Sequence, residues 1–145
     1  MDNLKNRVLS ELESIDAIFV ELPSQAELPR LTILELAGVA ALLHSFYNGI
    51  ENILKQILLS KNIKIPNGKS WHKELIEIAV NEKIISEECK ANITQYLAFR
   101  HFFSHAYALD LYADKMEPLV ENIHEVYSMF KKEISNFFNN VLNLY

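Results

Sequence analysis

Apolar residues recur along this chain at three- and four-residue intervals, the period of helices that bury one face. Leu4, Val8, Leu12, Ile15, Phe19 and Leu22 predict a first helix from about Asn3 to Leu22. Pro23 and Pro29 then bracket a break. A second helix, from about Leu31 to Lys61, repeats more regularly, through Ile33, Leu36, Ala40, Leu43, Tyr47, Ile50, Leu54 and Ile57. A second apolar row, Val39, Leu42, Phe46 and Ile53, runs beside the first. A surface that wide is buried on more than one side, either centrally or against another chain. Gly38 and Gly49 cost helix stability and are expected where helices approach closely.

Asn62 to Ser70, with Pro66 and Asn67-Gly68, reads as a loop. Ser70 is placed to cap a short third helix, Trp71 to about Lys83, and Ser86 to cap a fourth. A break is expected between Leu109 and Lys115. Asp114 with Glu117 resembles a capping box for a fifth helix, with Pro118 just inside it. That helix buries Leu119, Ile123, Val126, Phe130, Ile134, Phe137 and Val141. The pattern is all-α, without internal repeats.

One stretch of the fourth helix departs from this pattern. Phe99 to Tyr107 sets Arg100, His101, His105 and Tyr107 among aromatic residues. Between Tyr96 and Tyr112, Asp110 is the only carboxylate available to Arg100. Cations in apolar surroundings are paired or functional. Arginine offers a fork of donors to phosphate, and histidine moves protons near neutral pH. At about 100° per residue, Arg100 and Tyr107 fall within about 20° of each other, two turns apart on one stripe. Arg100 and His105 differ by about 140° on a straight helix. They meet over one substrate only through a kink or across two chains, and both are expected.

His101 and His105 also have the i, i+4 spacing of a zinc pair, but no third ligand or His-Glu-x-x-His pattern accompanies them. No metal or other cofactor is expected. Ser104 reads as a helix-surface or cleft-edge residue rather than a nucleophile, and His44, His72 and His124 as structural ones. Trp71 and His72 are candidates for an interface or an RNA-contacting edge.

At 145 residues the chain suits a single domain spanning 1–145, with a sizeable core. Its net charge of −5 argues against broad coating of nucleic acid and leaves room for a local basic cleft. Cys89 stands alone, so neither a disulfide framework nor a cysteine-based zinc site is expected. The first residues lack the apolar core of a signal peptide, and the uncharged run from Leu36 to Ile50 is short for a membrane span. A cytoplasmic location without membrane association is the expectation.

Arg100-x4-His105-x-Tyr107 resembles the Arg-x4-His-x-Tyr motif of HEPN-domain toxins encoded beside MNT nucleotidyltransferase antitoxins. His101 fits the polar position that follows the arginine in the wider HEPN pattern. The stretch Ile65 to Leu75 resembles a Pro-x-Gly-x-x-Trp-His-x-Glu-Leu segment of some relatives. The resemblance implies a HEPN-type up-and-down bundle of four to five helices, dimeric, with two motif copies across a shared cleft. It implies a metal-independent endoribonuclease toxin cleaving tRNA or mRNA. Arg100 and His105 are then the catalytic residues, with His101 and Tyr107 in support. It further implies silencing by a partner MNT nucleotidyltransferase that transfers AMP to Tyr107. The alternative is a HEPN protein that binds substrate for a nucleotidyltransferase without cleaving RNA.

Overall fold

The structure is a computed structural model that describes residues 2–107 and 110–142. Its elements are α1 (Asp2–Glu21), a 3-10 helix (Gln25–Arg30), α2 (Ile33–Ser60), α3 (Trp71–Asn81), α4 (Glu87–His105) and α5 (Ala113–Leu142). Among the described residues there are no strands, as the periodicity requires.

The long apolar helix is central. α2 packs against α1, α3, α4 and α5, and its two apolar rows are largely buried from Leu36 onward, with Phe46, Tyr47, Ile50, Ile53, Leu54 and Ile57 fully buried and Ile33 exposed at the helix start. This accounts for the width of its hydrophobic surface within one protomer. α2 is long and apolar enough to cross a membrane by length and composition, but that surface is spent on the bundle core. It starts on a capping box: Thr32 Oγ1 accepts from the Glu35 N–H at 3.1 Å, and Glu35 Oε1 accepts from the Thr32 N–H at 2.9 Å.

The two helical glycines part company. A Cβ on Gly49 would stand 2.6 Å from Ile15 Cγ1, so this position sets the close approach of α1 to α2. Nothing lies within 4 Å of a Cβ on Gly38, so the close packing expected there is absent within the protomer.

Hydroxyls and two carboxylates fix the bundle's register. Tyr127 donates to Asp16 Oδ1 at 2.7 Å, tying α5 to α1. Tyr96 donates to the Leu119 carbonyl at 2.6 Å, tying α4 to α5. Ser86 caps α4 by accepting from the Cys89 N–H, and donates its own N–H and hydroxyl to Glu133 of α5.

One expected cap fails and two expected helix ends move. Ser70 precedes α3 with φ −100° and ψ 24° and makes no side-chain cap bond. α3 closes at Asn81 rather than Lys83, because Lys83 takes φ 60° and the Ile84 N–H turns back to the Ala79 carbonyl. α5 begins at Ala113, so Asp114 sits inside the first turn and is not a cap, and Pro118 lies deeper in the helix.

Candidate active site

The second half of α4 gives its apolar face to the core through Tyr96 and Phe99, and Phe99 stacks on Phe103 at 6.2 Å. One position past Phe99, Arg100 reaches across to α2 half-buried, and its Nε–H donates to Asn48 Oδ1 at 3.2 Å. Among the described residues no carboxylate forms an ion pair with Arg100. Asp110, its candidate partner in the sequence, accepts from the Tyr107 backbone N–H at 3.3 Å instead.

Asn48 continues the chain of contacts, its Nδ2 lying 3.4 Å from His44 Nδ1. The His44 ring meets Phe103 edge-on at 5.2 Å. Burial holds the His44 pKa below its ordinary value of 6.5, the Arg100 charge lowers it further, and Glu51 opposes both.

Further along the same face of α2, the Glu51 carboxylate is buried and bonds His72 Nδ1, fastening the first turn of α3. Tyr47 buries its hydroxyl beside Glu51 without a hydrogen bond of ordinary geometry. Burial first, then the Glu51 charge and a poorly aligned bond to that carboxylate, raise the Tyr47 pKa. Lys55 Nζ lies 4.2 Å over the Trp71 ring, and Trp71 packs on His72. His44, Asn48, Glu51 and Lys55 therefore form one polar stripe on an otherwise apolar helix, at i, i+4, i+7 and i+11. Beyond it the chain is basic: Lys55, Lys61, Lys64, Lys69 and Lys73 follow with no Asp or Glu between Asn52 and Lys73. Among the described residues Lys61 alone of these forms an ion pair, to Glu82 at 3.1 Å.

The motif histidines stand elsewhere. His101 and His105 are exposed, with ring centroids 4.8 Å apart, and His105 is the last residue of α4. α4 runs unbroken from Arg100 to His105, so the expected kink is absent. With about 140° between them on a straight helix, Arg100 turns to α2 and His105 to solvent. One protomer does not bring the two together.

Tyr107 also departs from expectation. Ala106 takes ψ 150°, which ends the helix before Tyr107 and removes it from the Arg100 stripe. Tyr107 is 82% exposed, in a turn where the Asp110 N–H donates to its carbonyl at 2.9 Å. Ala108 and Leu109, the latter at the edge of the break expected from sequence, lie outside the described residues. Ser104 donates to the Arg100 carbonyl at 2.9 Å, as a helix-surface serine does.

Among the described residues no three His, Cys, Asp or Glu side chains converge as metal ligands. Arg100 can do more. With Nε engaged, both terminal NH2 groups remain for an anionic oxygen. Sequence reasoning missed Asn48 and Glu51 and assigned His44 a structural role. Their signal was the polar spacing within an apolar helix.

A half-buried arginine, an exposed histidine pair and a following tyrosine, at the end of a helix in an all-helical bundle, mark a HEPN-type domain. A family model described as HepT-like protein matches residues 38–141, and the chain belongs to the HepT-like family, HEPN proteins associated with toxin–antitoxin systems. Comparison with curated proteins and with solved structures gave no match.

Proposed function

We propose that this HepT-like protein is a metal-independent endoribonuclease, the toxin of a cytoplasmic toxin–antitoxin pair, acting on tRNA or mRNA as a homodimer. Arg100 carries the reading. It is half-buried and oriented by an amide, and among the described residues no carboxylate forms an ion pair with it. A guanidinium so held suits a phosphate better than it suits structural pairing. The lysines from Lys55 to Lys73 supply a local basic approach on a chain of net charge −5.

In the proposed reaction a ribose 2′-hydroxyl attacks the adjacent phosphorus and the bond to the 5′ oxygen breaks. The 2′ proton passes to a base and the 5′ oxygen takes one up, leaving a 2′,3′-cyclic phosphate and a 5′-hydroxyl. Arg100 stabilises charge on the non-bridging oxygens, His105 moves one of the protons, and His101 supports it. Because Arg100 and His105 diverge within a protomer, the His105 acting on phosphate held by Arg100 belongs to a second copy.

Control runs through Tyr107, whose exposed phenol suits a partner enzyme. Its oxygen attacks the α-phosphorus of ATP on an MNT-type nucleotidyltransferase, pyrophosphate leaves, and the phenolic proton is released. The attached AMP obstructs the RNA path.

RNA cleavage by purified protein in the presence of chelator tests the reading, with Arg100→Ala and His105→Ala as inactive controls. Mixing those two variants should restore part of the activity if sites are shared. The divergence of Arg100 and His105 favours one rival, a non-catalytic HEPN partner of a nucleotidyltransferase. Intact RNA bound by the wild-type protein would establish that rival.

A further inference from the structure

Arg100 and His44 sit on different helices, and one amide lies between them. Arginine Nε only donates, so the Asn48 atom facing it is the oxygen. The other end of the same amide is then an NH2 group, which donates to His44 Nδ1. An accepting Nδ1 is an unprotonated one, so the neutral ring carries its hydrogen on Nε2. Nε2 has no hydrogen-bond partner among the described residues, and it is not among the buried polar atoms left without one. That N–H and the terminal NH2 groups of Arg100 therefore remain donors that no described residue takes up.

We propose that His44 and Asn48 belong to the working site: His44 is a second phosphate-binding donor beside Arg100, and Asn48 is the positioning residue that orients both. The inference deepens the reading of Arg100 as a phosphate grip and rests on it. Phe103 packs against the His44 ring and limits its rotation. The arrangement gives an anionic oxygen one charged and one neutral donor, the second fixed in tautomer by the first. Protonating Nδ1 would set a donor against the Asn48 NH2 group, so the bridge itself disfavours the imidazolium. The charged groups felt by His44 are Arg100 on α4 and Glu51 on its own helix.

Two measurements that do not depend on RNA cleavage test this. Imidazole 15N spectra of the full chain should show His44 as the Nε2–H tautomer. Asn48→Asp should switch it to Nδ1–H, because a carboxylate accepts where the amide donated. An Nδ1–H tautomer in the wild type, or no switch in Asn48→Asp, overturns the positioning role. Titration with inorganic phosphate should then move the His44 resonances. Affinity should fall about tenfold in His44→Phe, the loss of one charge-assisted bond. It should recover in His44→Gln, which restores a donor near Nε2. Equal affinity in wild type and His44→Phe, or no phosphate binding by the wild type, overturns the donor role. Phosphate binding with the expected tautomer but without RNA cleavage would leave this inference standing and remove the ribonuclease reading.

Discussion

The two ends of α4 are built on opposite principles. At its start, Ser86 satisfies a backbone N–H of its own helix and gives both its donors to Glu133, and at mid-helix Tyr96 spends its hydroxyl on the Leu119 carbonyl. Those bonds fix register against α5. At its end, Arg100 is held by one bond to Asn48, and His101 and His105 point their rings into solvent. Polar groups at the start are used up by the fold, while those at the end are aimed and left available. That contrast separates structural polar residues from functional ones within a single helix.

Substitutions at the two ends should therefore fail differently. The largest effect is expected for Arg100→Ala, a loss of RNA cleavage on the order of a hundredfold or more, the usual cost of removing a transition-state donor. Its melting temperature should stay close to that of the wild type. A stability loss without an activity loss would place Arg100 with the start of the helix.

Tyr96→Phe should show the reverse pattern. Removing the hydroxyl loses one buried hydrogen bond, while the Leu119 carbonyl keeps its place in the α5 ladder, and should cost about 0.5–1.5 kcal/mol in denaturant unfolding. Cleavage per folded molecule should not change.

A smaller effect is expected from pH. Burial and Arg100 depress the His44 pKa in the folded protein, so the unfolded chain binds its proton more readily. The stabilising contribution is complete above the unfolded value of about 6.5 and is lost as pH falls toward the folded value. Denaturation midpoints should drop over that window in the wild type and less steeply in His44→Phe. The smallest effect belongs to Tyr107→Phe, which should leave stability unchanged because the ring is exposed. Intact mass after co-expression with the nucleotidyltransferase should show AMP on wild type and none on this variant.

Helix count and core were legible because apolar periodicity reports burial directly. Leu4, Val8 and Ile15 of α1 and most of the double row of α2 lie where spacing predicts, buried in the core, although Ile33 at the head of that row is exposed. Ser86 announced its helix correctly. The Thr32–Glu35 box was readable as Thr-x-x-Glu and went unused. Tyr107 could not be placed from periodicity, because α4 stops at Ala106 without a glycine or proline to mark the end. The motif's arginine, histidines and tyrosine were legible as residue types, whereas the Arg100 partner was not. Asn48 is far away in the chain, and only packing α4 on α2 reveals which polar residue an arginine meets.

Trp71 gives the molecule an optical handle. It is the chain's one tryptophan, half-buried on α3, with Lys55 above its ring and His72 packed alongside at 3.6 Å. Its emission therefore reports on a single place, the α2–α3 seam, where Lys55 meets the indole and from which the run of lysines to Lys73 continues along the chain. A polyanion settling on those lysines would draw the Lys55 ammonium from the indole and change the colour and yield of the fluorescence. A small anion held at Arg100 alone would leave the spectrum as it was. The protein thus carries an unlabelled probe that distinguishes an extended strand from an isolated phosphate.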